Sequence, residues 1–172
     1  MAKKVLIITA ENFEDSELLQ PLEALVEKGA DVDIAAPEKG TVQGKKGDSA
    51  EADLSIDSLP PKPWKNYDLL LLPGGKAPAQ LREIERVLEI VKGFNASEKP
   101  IGAICHGPQI LISAGIIGGR AATSYSEVQQ ELVEAGAVVQ DTSLVTDKNL
   151  FTSRNPDDLP DFIGEMLKRL DL

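Results

Sequence analysis

The sequence predicts a doubly wound α/β sandwich, a mostly parallel sheet with helices on both faces. Three observations predict it. Short apolar runs alternate with stretches of helical periodicity along nearly the whole chain. Glycines, or a proline followed by glycines, punctuate the junctions. The first two runs, residues 5–8 and 32–35, flank a single helical stretch, which is the unit that builds parallel sheets.

Residues 5–8 are wholly apolar and lie between Lys3-Lys4 and the polar residues 9–12, as a buried strand does. Leu18, Leu19, Leu22, Leu25 and Val26 then recur at helical spacing, and Lys28-Gly29 supplies the stop. Residues 32–35 form the next strand. From Pro37 to Asp57, glycines at 40, 44 and 47 punctuate short β-prone pieces at 41–42 and 54–56, which predicts a small hairpin or arm. The prolines at 60, 61 and 63 mark a surface turn too short to link two domains, so residues 1–172 are expected to form one. Residues 67–72 are the most apolar strand, hence a central one, and end in Pro73-Gly74-Gly75. A helix over about 84–94 precedes a strand at 101–104 and a buried helix over 109–114 closed by Gly115. Beyond these come an extended piece at 121–124, a helix over about 127–135 closed by Gly136, and short strands at 138–139, 144–145 and 150–151. Asn155, Pro156, Asp157 and Asp158 make a helix start with a cap, a proline at the first position and acids in the first turn. Leu159, Phe162, Ile163, Met166 and Leu170 give that last helix its buried stripe.

Composition excludes several functions. The chain of 172 residues carries 18 Lys+Arg against 28 Asp+Glu, and its net charge of −10 argues against nucleic acid or an anionic membrane as partner. No stretch approaches a membrane span, and no charged start with a following apolar run reads as a signal peptide, so the expected location is cytoplasmic. One cysteine and one histidine cannot build a Cys/His zinc site, and there is no phosphate loop or dinucleotide fingerprint; neither metal nor cofactor is expected.

That cysteine and that histidine are adjacent, Cys105-His106, on the corner between the strand at 101–104 and Gly107-Pro108. A side chain at a tight strand-to-helix corner is pushed out of the sheet toward the positive end of the next helix, a setting that favours thiolate by lowering a thiol pKa from about 8.5 toward roughly 4 to 7. In a doubly wound sheet, function collects at the carboxyl ends of the strands. Residues 9–17, Gly74-Gly75 and Cys105-His106 must therefore meet at one edge. Glu14 and Glu17 lie three apart at a helix start, where they serve either to complement the helix dipole or as carboxyl groups whose pKa a neighbouring thiolate raises. Gly74-Gly75 is either a plain turn or, facing a nucleophile, a source of N–H groups that bind an oxyanion together with the His106 N–H. Adjacent residues on a corner usually point apart, so contact between the Cys105 thiol and the His106 ring does not follow from their adjacency.

At these residues the chain resembles the PfpI family of the ThiJ/PfpI superfamily over nearly its full length. The resemblance rests on residues 13–17 with Pro21, on 72–75, on 103–109 with their Cys-His-Gly-Pro core, on Thr123-Ser124-Tyr125, and on 152–154 with Pro156. It implies a flavodoxin-like fold, with Cys105 as nucleophile, Glu17 as the carboxyl group against it, Glu14 and Gly74 nearby, Gly75 binding the oxyanion and Tyr125 lining the pocket. It implies several activities: intracellular protease, glutathione-independent glyoxalase, deglycase of early glycation adducts, and stress chaperone or redox sensor. Small reactive carbonyls or glycated adducts are the substrates expected, with self-association as a homodimer or hexamer. Protease members take an acidic residue from a neighbouring subunit just after the Gly-Gly loop. Ala79 stands there in this chain, which weakens the protease reading.

Overall fold

The four leucines at 69–72 are all excluded from solvent, which a strand achieves only when both faces of its sheet are covered. The computed structural model describes residues 1–172. Its elements begin with β1 (Lys4–Ile8), α1 (Asp15–Glu27), β2 (Asp31–Ala36), β3 (Gly40–Gln43), β4 (Ser49–Ala52) and β5 (Leu54–Ser55). They continue with β6 (Leu69–Leu72), α2 (Ala77–Leu81), α3 (Glu85–Ala96), β7 (Ile101–Ile104), α4 (Pro108–Ser113) and β8 (Ala121–Ala122). The last are α5 (Ser126–Glu134), β9 (Val138–Val139), β10 (Val145–Asp147), β11 (Leu150–Ser153) and α6 (Leu159–Arg169).

Seven strands form the main sheet in the order β10-β11-β7-β6-β1-β2-β5. All neighbours run parallel except β10, which is antiparallel to β11. α1 and α6 pack together, while α4 joins α2, α3 and α5 in a second group, so helices cover both faces as the alternating pattern predicts. Strand order reverses between β1 and β6, and the loops leaving their carboxyl ends open the crevice where such sheets place a site.

Four expectations need correction. Residues 54–56 are not part of the arm. Leu54 and Ser55 pair with Ala35 and Ala36 as the short edge strand of the main sheet, and only β3 and β4 form the hairpin. Val26 leaves the buried stripe of α1 and is 60% exposed, since it follows the buried Leu25 and lies about 100° round the helix from it, in the last turn. The short helix α2 is absent from the sequence-based expectation, five residues being too few to show a period. The Asn155 cap closes a 3-10 turn over Pro156–Asp158, its side chain accepting from the Asp157 N–H, and α6 starts only at Leu159.

The sheet is also closed tightly behind the site. Gly102 in β7 stands opposite Phe151 in β11, and a Cβ on it would lie 2.4 Å from the Phe151 ring. Gly102→Ala is expected to cost about 1–3 kcal/mol and to lower Tm by roughly 3–10 °C, checked by thermal melting. An unchanged melting temperature would show that the ring yields freely.

Candidate active site

The corner at Cys105 is strained and held. Its φ is +63°, a left-handed conformation that costs a non-glycine residue on the order of 1–3 kcal/mol. Backbone bonds fix it there: the Cys105 N–H donates to the Ser153 carbonyl (3.1 Å), its carbonyl accepts from the Tyr125 N–H (2.9 Å), and the Gly107 N–H donates to Ile104 (2.8 Å). The side chain is thereby turned off the sheet edge while the residue stays only 4% exposed.

Two neighbouring segments are stitched to that corner. The Glu14 N–H donates to Gly74 (3.1 Å) and the Lys76 N–H to Asn12 (2.9 Å), so the loops after β1 and β6 lie side by side. Gly75 adopts φ +87°, and a Cβ there would fall 2.3 Å from the Glu14 nitrogen, so only glycine fits. Its N–H and that of His106 lie on the thiol's side of the corner and favour the Cys105 thiolate electrostatically. Glu17, fully buried, accepts from the Gly74 N–H at 2.9 Å through Oε1, while its Oε2 is buried without a hydrogen-bond partner.

A third segment, absent from the sequence-based expectation, completes the site. The tip of the β3–β4 hairpin folds over the first turn of α1: the Lys45 N–H donates to Phe13 (3.0 Å), and Asp15 accepts from the Lys46 and Asp48 N–H groups at 2.9 and 2.8 Å. Burial alone would push the Asp15 carboxyl up, but those N–H bonds outweigh it and hold the group below its ordinary value. The tip delivers Lys46 Nζ to within 2.6 Å of the buried Glu14 carboxylate, with Lys45 Nζ at 3.7 Å. Glu14 is thus neutralised by the arm, a role different from dipole complementation alone.

The His106 ring points toward Cys105, not away. Its Nδ1 lies 3.3 Å from Sγ, its Nε2 lies 3.7 Å from a Glu127 carboxylate oxygen, and its plane stacks on Tyr125 at 4.9 Å and 26°. The left-handed backbone at Cys105 folds the two neighbouring side chains to the same side, which corrects the expectation that they diverge. Around them a cavity of about 300 Å³ is lined by Glu14, Glu17, Lys45, Cys105, His106 and Tyr125, among others. All seven residues singled out from the sequence, Glu14, Glu17, Gly74, Gly75, Cys105, His106 and Tyr125, come together here. Ala79 is exposed on α2 and lines no part of the cavity.

The electrostatics overturn the expectation of a resting thiolate. Burial, then the Glu17 charge, push the Cys105 thiol up to about 12 against the pull of the Gly75 and His106 N–H groups. Glu17 is pushed to about 8, first by burial and then by the Glu14 charge, the Gly74 N–H opposing. The two groups titrate as a pair. At neutral pH both hold their protons, and Glu17 is a neutral acid buried in the same cavity as the thiol. The helix beyond Cys105 has only six residues, too little dipole to offset this burial. His106 is held below its ordinary value, again by burial, with Glu127 opposing.

A sequence profile of the DJ-1/PfpI family matches residues 3–169. The chain belongs to the DJ-1/PfpI family. Among relatives, a protein of Pyrococcus horikoshii named a deglycase is 43% identical over 97% of this chain and 99% of its own length. General stress protein 18 of Bacillus subtilis is 41% identical over 99% of both chains. In a crystal structure of a two-domain Anabaena variabilis protein, the DJ-1/ThiJ/PfpI-like part superposes with a TM-score of 0.94 at 33% identity, covering 98% of this chain and 48% of that one. No helix of this family member is long and apolar enough to cross a membrane.

Lys45, Lys46 and Glu127 are the site residues that sequence reasoning missed. For the lysines a signal existed: a Gly-Lys-Lys-Gly turn in a chain of net charge −10.

Proposed function

We propose that this protein is a cysteine-dependent enzyme acting on reactive carbonyl compounds, a deglycase and glutathione-independent glyoxalase. One observation carries the reading: the Cys105 sulfur stands on a strained corner, 3.3 Å from the His106 Nδ1, in a cavity that it shares with the buried Glu17 carboxyl group. Relatives named deglycases, and a general stress protein, support it.

The chemistry follows from the protonation states. The thiol proton passes to His106 Nδ1, and the sulfur forms a bond to the aldehyde carbon as the carbonyl electron pair moves to oxygen. That oxygen is met by the Gly75 and His106 N–H groups and takes the proton back from the imidazolium, giving a hemithioacetal. Glu17, as carboxylate, removes the hydrogen of the hemithioacetal carbon as a proton, leaving an enediolate, and returns it to the neighbouring carbon, while the hydroxyl proton on the first carbon moves to the oxygen of the second. The product is a hydroxyacyl thioester, which water hydrolyses to the hydroxy acid and free thiol. Lys45 and Lys46 at the rim suit a substrate or product that carries a carboxylate.

A carboxyl group that titrates at about 8 is roughly one-tenth ionised at pH 7 and half ionised at pH 8. Turnover is therefore expected to rise about fivefold between pH 7 and pH 8 and to level off above that, measured as initial rates of lactate formation. A flat profile over this range would remove Glu17 from the proton transfer. The function itself is tested by incubating the protein with methylglyoxal-treated N-acetylcysteine: loss of the adduct with return of free thiol and stoichiometric lactate supports it, and neither event occurring argues against it.

A second reading rests on the neutral Glu17 beside the sulfur, which together with the two N–H groups stabilises an oxidised Cys105. Intact mass after stoichiometric peroxide reads one or two added oxygens if Cys105 is a sensor. Peptide hydrolysis fits less well: a cavity of about 300 Å³ suits a small carbonyl, and Ala79 offers no acid from a neighbouring subunit.

A further inference from the structure

We propose that Glu127 of the same chain is the positioning residue of the nucleophile, holding His106 in the tautomer whose Nδ1 lone pair faces the Cys105 thiol. The proposal deepens the reading above and rests on Cys105 being the reactive group.

Four observations carry it. The two ring nitrogens have two different partners, Sγ at 3.3 Å on Nδ1 and the Glu127 carboxylate at 3.7 Å on Nε2. The Tyr125 ring, stacked on the imidazole, fixes the plane in which both ring nitrogens lie. Glu127 is the second residue of α5, whose start is tied to the nucleophile corner by the bond from the Tyr125 N–H to the Cys105 carbonyl, so carboxylate and thiol share one frame. No other acidic side chain pairs with the ring.

An ionised carboxylate 3.7 Å from Nε2 repels a lone pair and attracts an N–H there, so the hydrogen is favoured on Nε2 and Nδ1 is left with its lone pair. The reverse tautomer would set the Nε2 lone pair against the carboxylate and leave the thiol without an acceptor. In the favoured tautomer the S–H bond breaks as an N–H bond forms at Nδ1. The thiolate so formed lies at one ring nitrogen of the imidazolium and the Glu127 carboxylate at the other, and no net charge is created.

The other charged groups set the need for this arrangement. Glu17 still holds its proton below about pH 8, so it is not the base there. Lys45, reaching over from the hairpin, disfavours an imidazolium, as does the partial burial of the ring; the Glu127 carboxylate acts in the opposite direction. The Glu127 side chain is 75% exposed, so its charge is screened and its effect on the ring is modest. The same exposure means that it can be replaced without disturbing the fold.

His106 is the only histidine, so its imidazole signals in NMR need no assignment. In the unsubstituted protein at neutral pH, ring nitrogen shifts are expected to show the hydrogen on Nε2. Glu127→Gln should move the ring titration to lower pH by about half a pH unit. It should also slow iodoacetamide alkylation of Cys105 at pH 6–7 about threefold, Glu127→Lys more strongly, with Glu127→Asp recovering part of the rate. A hydrogen on Nδ1 in the unsubstituted protein overturns the proposal, as do a ring titration and an alkylation rate that Glu127→Gln and Glu127→Lys leave unchanged. Neither readout needs carbonyl turnover. A protein that fails to convert methylglyoxal yet shows these effects loses the function proposed above and keeps this one; the converse pattern does the reverse.

Discussion

Glu17→Gln is expected to lower carbonyl turnover by about 100- to 10,000-fold, the usual range for a lost acid–base group, while Cys105 remains open to alkylation. The substituted amide keeps an oxygen for the Gly74 N–H but cannot move a proton, so nucleophile and proton carrier are separated in one variant. The same change should strengthen the fold. Glu17 titrates at about 8 in the folded chain against an ordinary value of 4.5, so between these values the folded state binds the extra proton and loses stability as pH rises. The loss reaches about 3 kcal/mol at pH 7 as an upper bound, and Glu17→Gln escapes it. Denaturant melts at pH 5 and pH 8 check this: the gain in the variant should be larger at pH 8. A variant of unchanged turnover, or one that is less stable at the higher pH, would contradict the account of Glu17 as a buried carboxyl group kept for chemistry at a cost in stability.

Gly75→Ala is expected to lose about 100- to 1,000-fold in turnover, the magnitude associated with one oxyanion donor. Two effects combine. At φ +87° an alanine is strained, and its Cβ would meet backbone on three sides, with the Glu14 nitrogen at 2.3 Å and the Asn12 oxygen at 2.6 Å. Backbone cannot rotate aside as a side chain can, so the loop must shift and displace the Gly75 N–H. Alkylation of Cys105 at pH 9 should fall as well, because the N–H groups of Gly75 and His106 favour the thiolate. Retained turnover would mean that the oxyanion is held elsewhere.

Much of this site is legible in the sequence because it depends on backbone topology. Alternating apolar runs place the ends of β1, β6 and β7 at one edge, and a cysteine on the last of these corners has nowhere else to point. What sequence does not carry is what depends on side-chain direction and on distant pairing. The left-handed turn at Cys105 decides whether the His106 ring meets the thiol, and no period or spacing encodes it. Lys45 and Lys46 reach Glu14 only because a hairpin folds back across α1, and Glu127 reaches His106 only because α5 is tied to the corner by one backbone bond. The protonation state of the thiol escapes the sequence for a related reason: a six-residue helix and a 4% exposed thiol are properties of packing, and burial outweighs the dipole.

The central claim is that Cys105 performs carbonyl chemistry with the chain's own acid–base groups. It is tested most directly by lactate formation from methylglyoxal, without glutathione and with chelator present, for the unsubstituted protein beside Cys105→Ser. Steady turnover that falls about a thousandfold or more in the variant is the predicted result. No turnover by folded protein whose Cys105 can be alkylated, or turnover that survives in Cys105→Ser, would contradict it.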